Sequence, residues 1–343
     1  MTGHLFSGLN KKRKVFKMRL KSFISALLAI TLFSSLLTGC AQDNSAKPEN
    51  NAQTEISTLK IGSLTLEENL PLLVAEKNGS FQNENVKVEL IPFQSPVELQ
   101  SAFQSGDLDG IITDIMIAAM LQSSGIDLGV TSIALGATPQ EGRFAIVASS
   151  NSDIKGVQDL KGKSIGISNN SIIEYVTDGL LKQGGVDPAE TKKTTVAKLP
   201  VRVEMLLSNQ IDAIVVPDPQ ITYLVSKGAK VIAEDSQGEN LSQSVILMKA
   251  DALNTKTQAI TNFYKAYAKA VEDINQTPDQ YKDLLVKHVN VPESVVEIYQ
   301  VQHYSKPQLP GENEFNNVIS WLKDKSLLKN EVPYQGFVKA GFY

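Results

Sequence analysis

The chain has 343 residues, 20% charged and 42% hydrophobic, enough for two domains with cores of ordinary composition. Seven basic and no acidic residues precede position 40. Of the 33 Lys and Arg and 37 Asp and Glu, the rest of the chain therefore keeps 26 against 37, a balance of −11. A body that acidic is repelled by phosphate backbones, which excludes nucleic acid as a partner.

At the N-terminus, Lys11, Lys12, Arg13, Lys14, Lys17, Arg19 and Lys21 lead into an apolar run from Phe23 to Leu37. A positive segment followed by a short apolar one reads as a secretory signal, too short for a comfortable bilayer span. It ends in Leu37-Thr38-Gly39-Cys40, which resembles a bacterial lipobox. Such a motif is cut before the cysteine, whose thiol takes a diacylglyceryl group. Cys40 is the one cysteine of the chain, so no internal disulfide forms, and lipidation accounts for the leftover thiol. Residues 1–39 are expected to be the signal peptide, and Met18 to Cys40 alone already forms a compact one. Residues 40–57 then form the acylated cysteine and a tether rich in Asn, Gln, Ser, Pro and Glu. Its coil dimension is about 20–25 Å. Two acyl chains hold where one binds only marginally, placing the body on the extracytoplasmic face of the cell membrane.

The folded part begins with a strand at Leu59–Leu64 and a polar turn, Thr65 to Asn69. A helix carrying Pro71 in its first turn follows and stops at Gly79. Val86–Phe93 is a second strand, and Ser95-Pro96 opens a helix with Val97, Leu99, Ala102 and Phe103. Leu108–Thr113 is a continuous apolar run of the kind buried in a parallel sheet. Asp114 caps the next helix, Ile115–Leu121.

The same order recurs further on. Lys163–Ser168 is a strand, Ser168-Asn169-Asn170-Ser171 is a turn able to cap a helix, and Ser171–Leu181 has its apolar residues at helical spacing up to Gly184-Gly185. Thr194–Leu199 is a strand and Pro200 opens a helix. Ile211–Val216 is a buried strand, capped onward by Asp218-Pro219. The entries to the third strands also match, Gly106-Asp107-Leu108-Asp109 against Asn209-Gln210-Ile211-Asp212. A β-α-β-α-β-α unit built twice predicts two α/β lobes. Arg143–Ser149 and Ser244–Lys249 are lone apolar strands read as crossovers between them, and residues 251–343 are mainly helical. The expected division is 58–144 with 246–343, and 145–245.

The phrases LPLLVAEKNGSF from Leu70, VELIPFQSPVELQSAFQSGDLDG from Val88, DLKGKSIGIS from Asp159 and SNQIDAIVVPDPQ from Ser208 resemble one family. It comprises the SsuA-like solute-binding proteins of bacterial ABC importers, which take up nitrate, sulfonates, taurine and pyrimidine precursors of thiamine. The resemblance runs from about Leu59 to the C-terminus. It implies a type II periplasmic-binding fold that closes about a hinge on its solute. It also implies partners in the importer's permease and ATPase, and no cofactor.

In that family the first turns of both lobes and the loops after later strands wall the cleft. Carried onto this chain, the candidates are Thr65, Leu66, Glu67, Glu68, Asn69, Ser95, Asp114, Ser168, Asn169, Asn170, Ser171 and Asp218. Arg143 is added as a carboxylate clamp and Tyr175 as a stacking surface. Converging helix N-termini favour an anion. Yet Glu67, Glu68, Asp114, Glu174 and Asp218 on the same rim suit an amine-bearing or pyrimidine-like solute. Each has a plainer reading: Asp114 and Asp218 suit caps, Glu67 and Glu68 suit a helix dipole, and Glu174 suits a solvated pair within its own helix. The histidines are His4, His288 and His303, with no nucleophile beside a base, no zinc-type cluster and no dinucleotide fingerprint. The thiamine-pyrimidine synthase of this fold has a cysteine-rich motif absent here, so no catalysis is expected. A tethered sensor that signals to a partner remains an alternative role.

The anchor predicts that Cys40→Ser moves the protein from the membrane fraction to the soluble fraction with solute affinity unchanged. Retention on membranes by the variant would place the anchor elsewhere.

Overall fold

Two five-stranded sheets with the same strand plan organise the chain, which we describe from a computed structural model covering residues 56–238, 241–289 and 291–343. The signal segment, Cys40 and most of the tether lie outside the described residues.

The first sheet starts with β1 (Thr58–Leu64), α1 (Leu70–Lys77) and the short α2 (Ser80–Asn83). It continues through β2 (Lys87–Phe93), α3 (Pro96–Ser105), β3 (Gly110–Asp114), α4 (Ile115–Ser123) and β4 (Leu128–Leu135). The second holds β5 (Phe144–Ala148), β6 (Ser164–Ile167), α5 (Ile172–Gln183), β7 (Lys192–Thr195), α6 (Leu199–Leu207), β8 (Ala213–Pro217), α7 (Gln220–Ser226) and β9 (Lys230–Glu234). The chain then returns through β10 (Ser244–Lys249) to α8 (Ala250–Thr255), α9 (Thr257–Gln276), α10 (Lys282–Val289), α11 (Glu312–Asp324) and α12 (Tyr334–Phe337).

The spatial orders are β2-β1-β3-β10-β4 and β7-β6-β8-β5-β9. In each sheet three strands run parallel and the fourth position is filled by a strand antiparallel to both neighbours, β10 in the first and β5 in the second. The two stretches read from sequence as crossovers thus sit inside the sheets. Sequence reading passed over β4 and β9. The eight residues of β4 are all buried, and such a run carries no alternation to mark it. Val231, Ile232 and Ala233 of β9 are half-buried at a sheet edge.

Residues along β10 face two cores in turn. Val245 and Leu247 join a central cluster with α3, α4, α5 and α11, whereas Ile246 and Met248 join the layer of α1 and α9. That outer layer is aromatic, with Phe263, Tyr264 and Tyr267 of α9 fully buried and Phe81 stacked on Phe263 at 5.9 Å. The hydroxyls have partners: Tyr264 shares a hydrogen bond with Thr131 at 2.6 Å, and Tyr267 donates to the Ala134 carbonyl at 3.1 Å.

The sheets also meet beside the cleft. α11 packs on α4 but reaches to α5 of the second sheet. There the Trp321 indole donates to Asp178 at 3.0 Å and its ring meets Tyr175 edge-on at 5.7 Å. Lys325 lies 2.6 Å from Glu174, and Lys193 pairs with Asp178. Glu174 is therefore buried and held from outside its helix, correcting the expectation of a solvated pair within it. Across the molecule, Tyr223 of α7 packs on both the α9 layer and the second sheet's own core.

Gly110 opens β3 where β1 and β10 flank it. A Cβ there would stand 2.5 Å from the Met248 sulfur and 2.7 Å from the Leu247 carbonyl oxygen. Backbone cannot yield as a side-chain tip does, so Gly110→Ala is expected to cost about 1–3 kcal/mol by denaturant titration. An unchanged midpoint would contradict the packing described.

Candidate ligand-binding site

A cleft of about 350 Å3 lies between the two sheets, a size suited to a small organic molecule. Its walls come from the carboxyl ends of strands: Leu66, Glu67 and Glu68 after β1, Asp114 at the end of β3, Ser168 and Ser171 after β6, Asp218 after β8. Ligands sit at these ends in open α/β sheets because the following helices start there with unbonded N–H groups. The two chain passages between sheets complete the lining through Gly142, Arg143 and Phe144 on one side and Ser242, Gln243 and Ser244 on the other. Leu64, Leu99, Ile117, Leu135, Ile172 and Leu199 make much of the remaining surface apolar.

The first-sheet wall is acidic. Glu67 is buried, and one carboxylate oxygen accepts from Gln302 while Oε1 has no partner. Burial, then the charges of Asp218 and Glu68, pushes its carboxyl well above the usual range. Glu68 is half-buried at the surface but deep between the sheets, and burial with the Asp114 charge raises it to about 7. Asp114 caps α4, accepting from the Ile117 N–H at 2.8 Å. Burial still lifts it to about 6, against the lowering by backbone N–H groups of the α4 turn. Among the described residues, none of these three carboxylates has a cationic partner within salt-bridge distance.

The second-sheet wall differs. Arg202 of α6 is 3% exposed, donates from Nη1 to the Val196 carbonyl at 2.9 Å, and leaves Nε without a partner. Burial lowers its pKa to about 10, so it stays cationic at neutral pH. Ser171 precedes α5, yet its hydroxyl donates to the Ser168 carbonyl at 2.6 Å and caps nothing. Glu174 accepts the Asn170 N–H at 2.8 Å instead. That corrects the expected cap: the Ser171 side chain accepts no helix N–H.

Arg143 sits between the walls at the mouth. It donates to Glu234 at 2.7 Å and lies 3.4 Å from Asp218, so its charge is already matched. Although burial pushes Glu234 up, its hydrogen bond to Arg143 leads the effects that hold it below the usual range. Asp218 also accepts from the Thr222 N–H at 2.9 Å, acting as a cap to α7. Gln302 links this mouth to the interior, accepting from the Gly142 N–H while donating to Glu67.

Eight sequence candidates therefore converge on the lining: Leu66, Glu67, Glu68, Asp114, Arg143, Ser168, Ser171 and Asp218. The others stand apart from it. Thr65 is in the same turn but not in the lining. Asn69 is fully buried and contacts His288 at 3.0 Å. Ser95 caps α3 through the Glu98 N–H at 3.3 Å, and Asn169 and Asn170 face solvent. Tyr175 points away into the seam with Trp321. Sequence reading missed Arg202, Gln243, Ser244 and Gln302. Arg202 had a signal: it falls on the face of α6 shared with Leu199 and Leu206, where an apolar residue is expected. Gln243 and Gln302 lie in connecting stretches that carry no pattern, and Ser244 is the polar first residue of β10.

Comparison with known proteins agrees with this architecture. The E. coli periplasmic aliphatic sulphonate binding protein SsuA superposes with a TM-score of 0.71 at 18% identity, over 82% of this chain and 97% of that one. The desulfurization enzyme DSZB shares the fold too, with a TM-score of 0.62 at 15% identity over 83% and 97%. A Brachyspira hyodysenteriae protein, provisionally named an ABC transporter periplasmic binding protein, is 22% identical over 318 residues, 87% of each chain. The fold is thus the α/β periplasmic-binding one. The family model described as NMT1/THI5 like matches residues 67–281, from the acidic turn after β1 to the helices behind the first sheet. The chain belongs to the NMT1/THI5-like family.

Proposed function

We propose that the protein is the solute receptor of an ABC importer, anchored by Cys40 on the extracytoplasmic face of the cell membrane. The two sheets, residues 58–144 with 246–343 and residues 145–245, would close as lobes on a small organic solute and present it to the permease, with its ATPase supplying the work. The solute is an amine-bearing or pyrimidine-like molecule. One observation carries this preference: three carboxyl groups, Glu67, Glu68 and Asp114, face one cleft with no cation within salt-bridge distance among the described residues. An ammonium or ring amino group supplies the donors that carboxylates lack, and the apolar walls hold the rest of the molecule.

A second reading is a sulfonate or nitrate-type anion, favoured by the unpaired Arg202 and by the likeness to a sulphonate-binding protein. The desulfurization enzyme on the same fold keeps a catalytic reading open in principle. Against it, neither His288 nor His303 belongs to the cleft lining, and no cysteine occurs beyond Cys40. No grouping of three metal-ligating side chains occurs among the described residues.

Mass spectrometry of the small molecule that co-purifies with the mature protein tests the assignment. A basic heterocycle or amine is expected; a sulfonate or nitrate would overturn the preference. Asp114→Asn is expected to weaken binding tenfold or more. A lost cap alone costs folding stability of about 0.5–2 kcal/mol, so melting curves run in parallel separate the two effects.

The raised carboxyls also fix a pH dependence. Their folded-state pKa values lie above the unfolded ones, so the ligand-free fold binds more protons than the unfolded chain between about pH 4.5 and 7. Stability from these groups is complete below that window and lost as pH rises through about 6 to 7. Glu68→Gln should therefore raise the melting temperature at pH 7.5 by about 2–4 °C and have little effect at pH 4.5. Amine binding runs the other way and tightens as pH rises from 5.5 to 7.5, since the cation displaces the protons.

A further inference from the structure

The cleft is polarised, and the two charges that the readings above treat as rivals stand on opposite walls. The carboxylates come from the first sheet, whereas Arg202 comes from α6 of the second. Burying an unpaired guanidinium is costly, and a single carbonyl contact does not offset it. Arg202, its Nε buried and without a partner, shares the lining with Ile172 and Ile173, the first residues of the twelve-residue α5. The first bond of that helix runs from the Glu174 N–H to the Ser171 carbonyl, leaving the N–H groups of Ile172 and Ile173 ahead of it. The Ser171 side chain accepts neither of them.

Resting on the receptor reading, we infer that the solute is a zwitterion. Its ammonium group lies on Glu68 and Asp114, and its carboxylate, sulfonate or phosphonate lies on Arg202 and the first turn of α5. A plain amine leaves the guanidinium unmatched, and a plain anion leaves the carboxylates unmatched and adds repulsion. One molecule carrying both charges matches both walls. It also ties one sheet to the other through its own length, so closure follows from binding.

The test is calorimetry at pH 7.5 on the mature protein stripped of co-purified solute, with probes of known structure. The series are α,ω-amino carboxylates from glycine to 6-aminohexanoate and the matching aminoalkane sulfonates, with n-alkylamines, alkanoates and alkanesulfonates of the same chain lengths as controls. At one chain length the zwitterion should bind at least tenfold tighter than either control. The two series separate a carboxylate from a sulfonate as the anionic end. In Arg202→Met that advantage over the amine should collapse, and Arg202→Lys should restore part of it. Melting curves identify a variant that fails to fold, in which case Glu68→Gln serves instead and should erase the advantage over the anion. An amine that binds as tightly as the zwitterion overturns the inference and leaves the amine-binding receptor standing. An anion that binds as tightly overturns both the inference and the preference for an amine. Failure of every probe to bind overturns the charge-based assignment of the cleft as a whole.

Discussion

The first sheet cannot be completed by one continuous stretch of chain. It needs β10, supplied only after the consecutive strands β5 to β9 have built the second sheet. β10, like β5 at the equivalent place in the second sheet, is almost wholly buried and hydrogen-bonded on both edges. The chain therefore has to pass between sheets twice, and both passages are short. Gly142, Arg143, Ser242 and Gln243 sit beside the cleft because the return of the chain to supply β10 makes both passages run there.

The cleft gathers polar groups that the fold itself does not use. Glu67 Oε1, Arg202 Nε, Gln243 Oε1 and Ser244 Oγ are buried, unpartnered and part of one lining. Buried polar atoms are normally bonded, so such a concentration marks a place kept for something else. Elsewhere the molecule matches its charges well. Lys256 meets Asp109 at 2.8 Å, and Glu174 and Asp178 meet Lys193 and Lys325. In the cleft that matching stops.

Much of the first sheet was legible because its strands end in turns with recognisable chemistry. Ser95-Pro96 and Asp114 mark helix starts, and both side chains accept the N–H groups that such positions predict. The doubled plan was legible for the same reason. β4 was hidden by being buried throughout, and β9 by lying at an edge with little apolar pattern. At the site, sequence found the acidic wall from its place after strands β1 and β3 but passed over Arg202. Its spacing from Leu199 and Leu206 puts it on their face of α6, and only the assembled second sheet shows that this face borders the cleft. Tyr175 shows the opposite failure. An aromatic residue in the first turn of α5 looked like a ligand platform, and packing turned it toward α11.

That packing has a practical side. The chain contains one tryptophan, and Trp321 sits where a helix of the first sheet touches α5 of the second, its indole bonded to Asp178 and covered by Lys325 at 5.2 Å. Any opening of the seam exchanges that carboxylate for water. The protein thus carries a built-in fluorophore at the seam between its two sheets, and the colour and quenching of its emission would report any change there without a label.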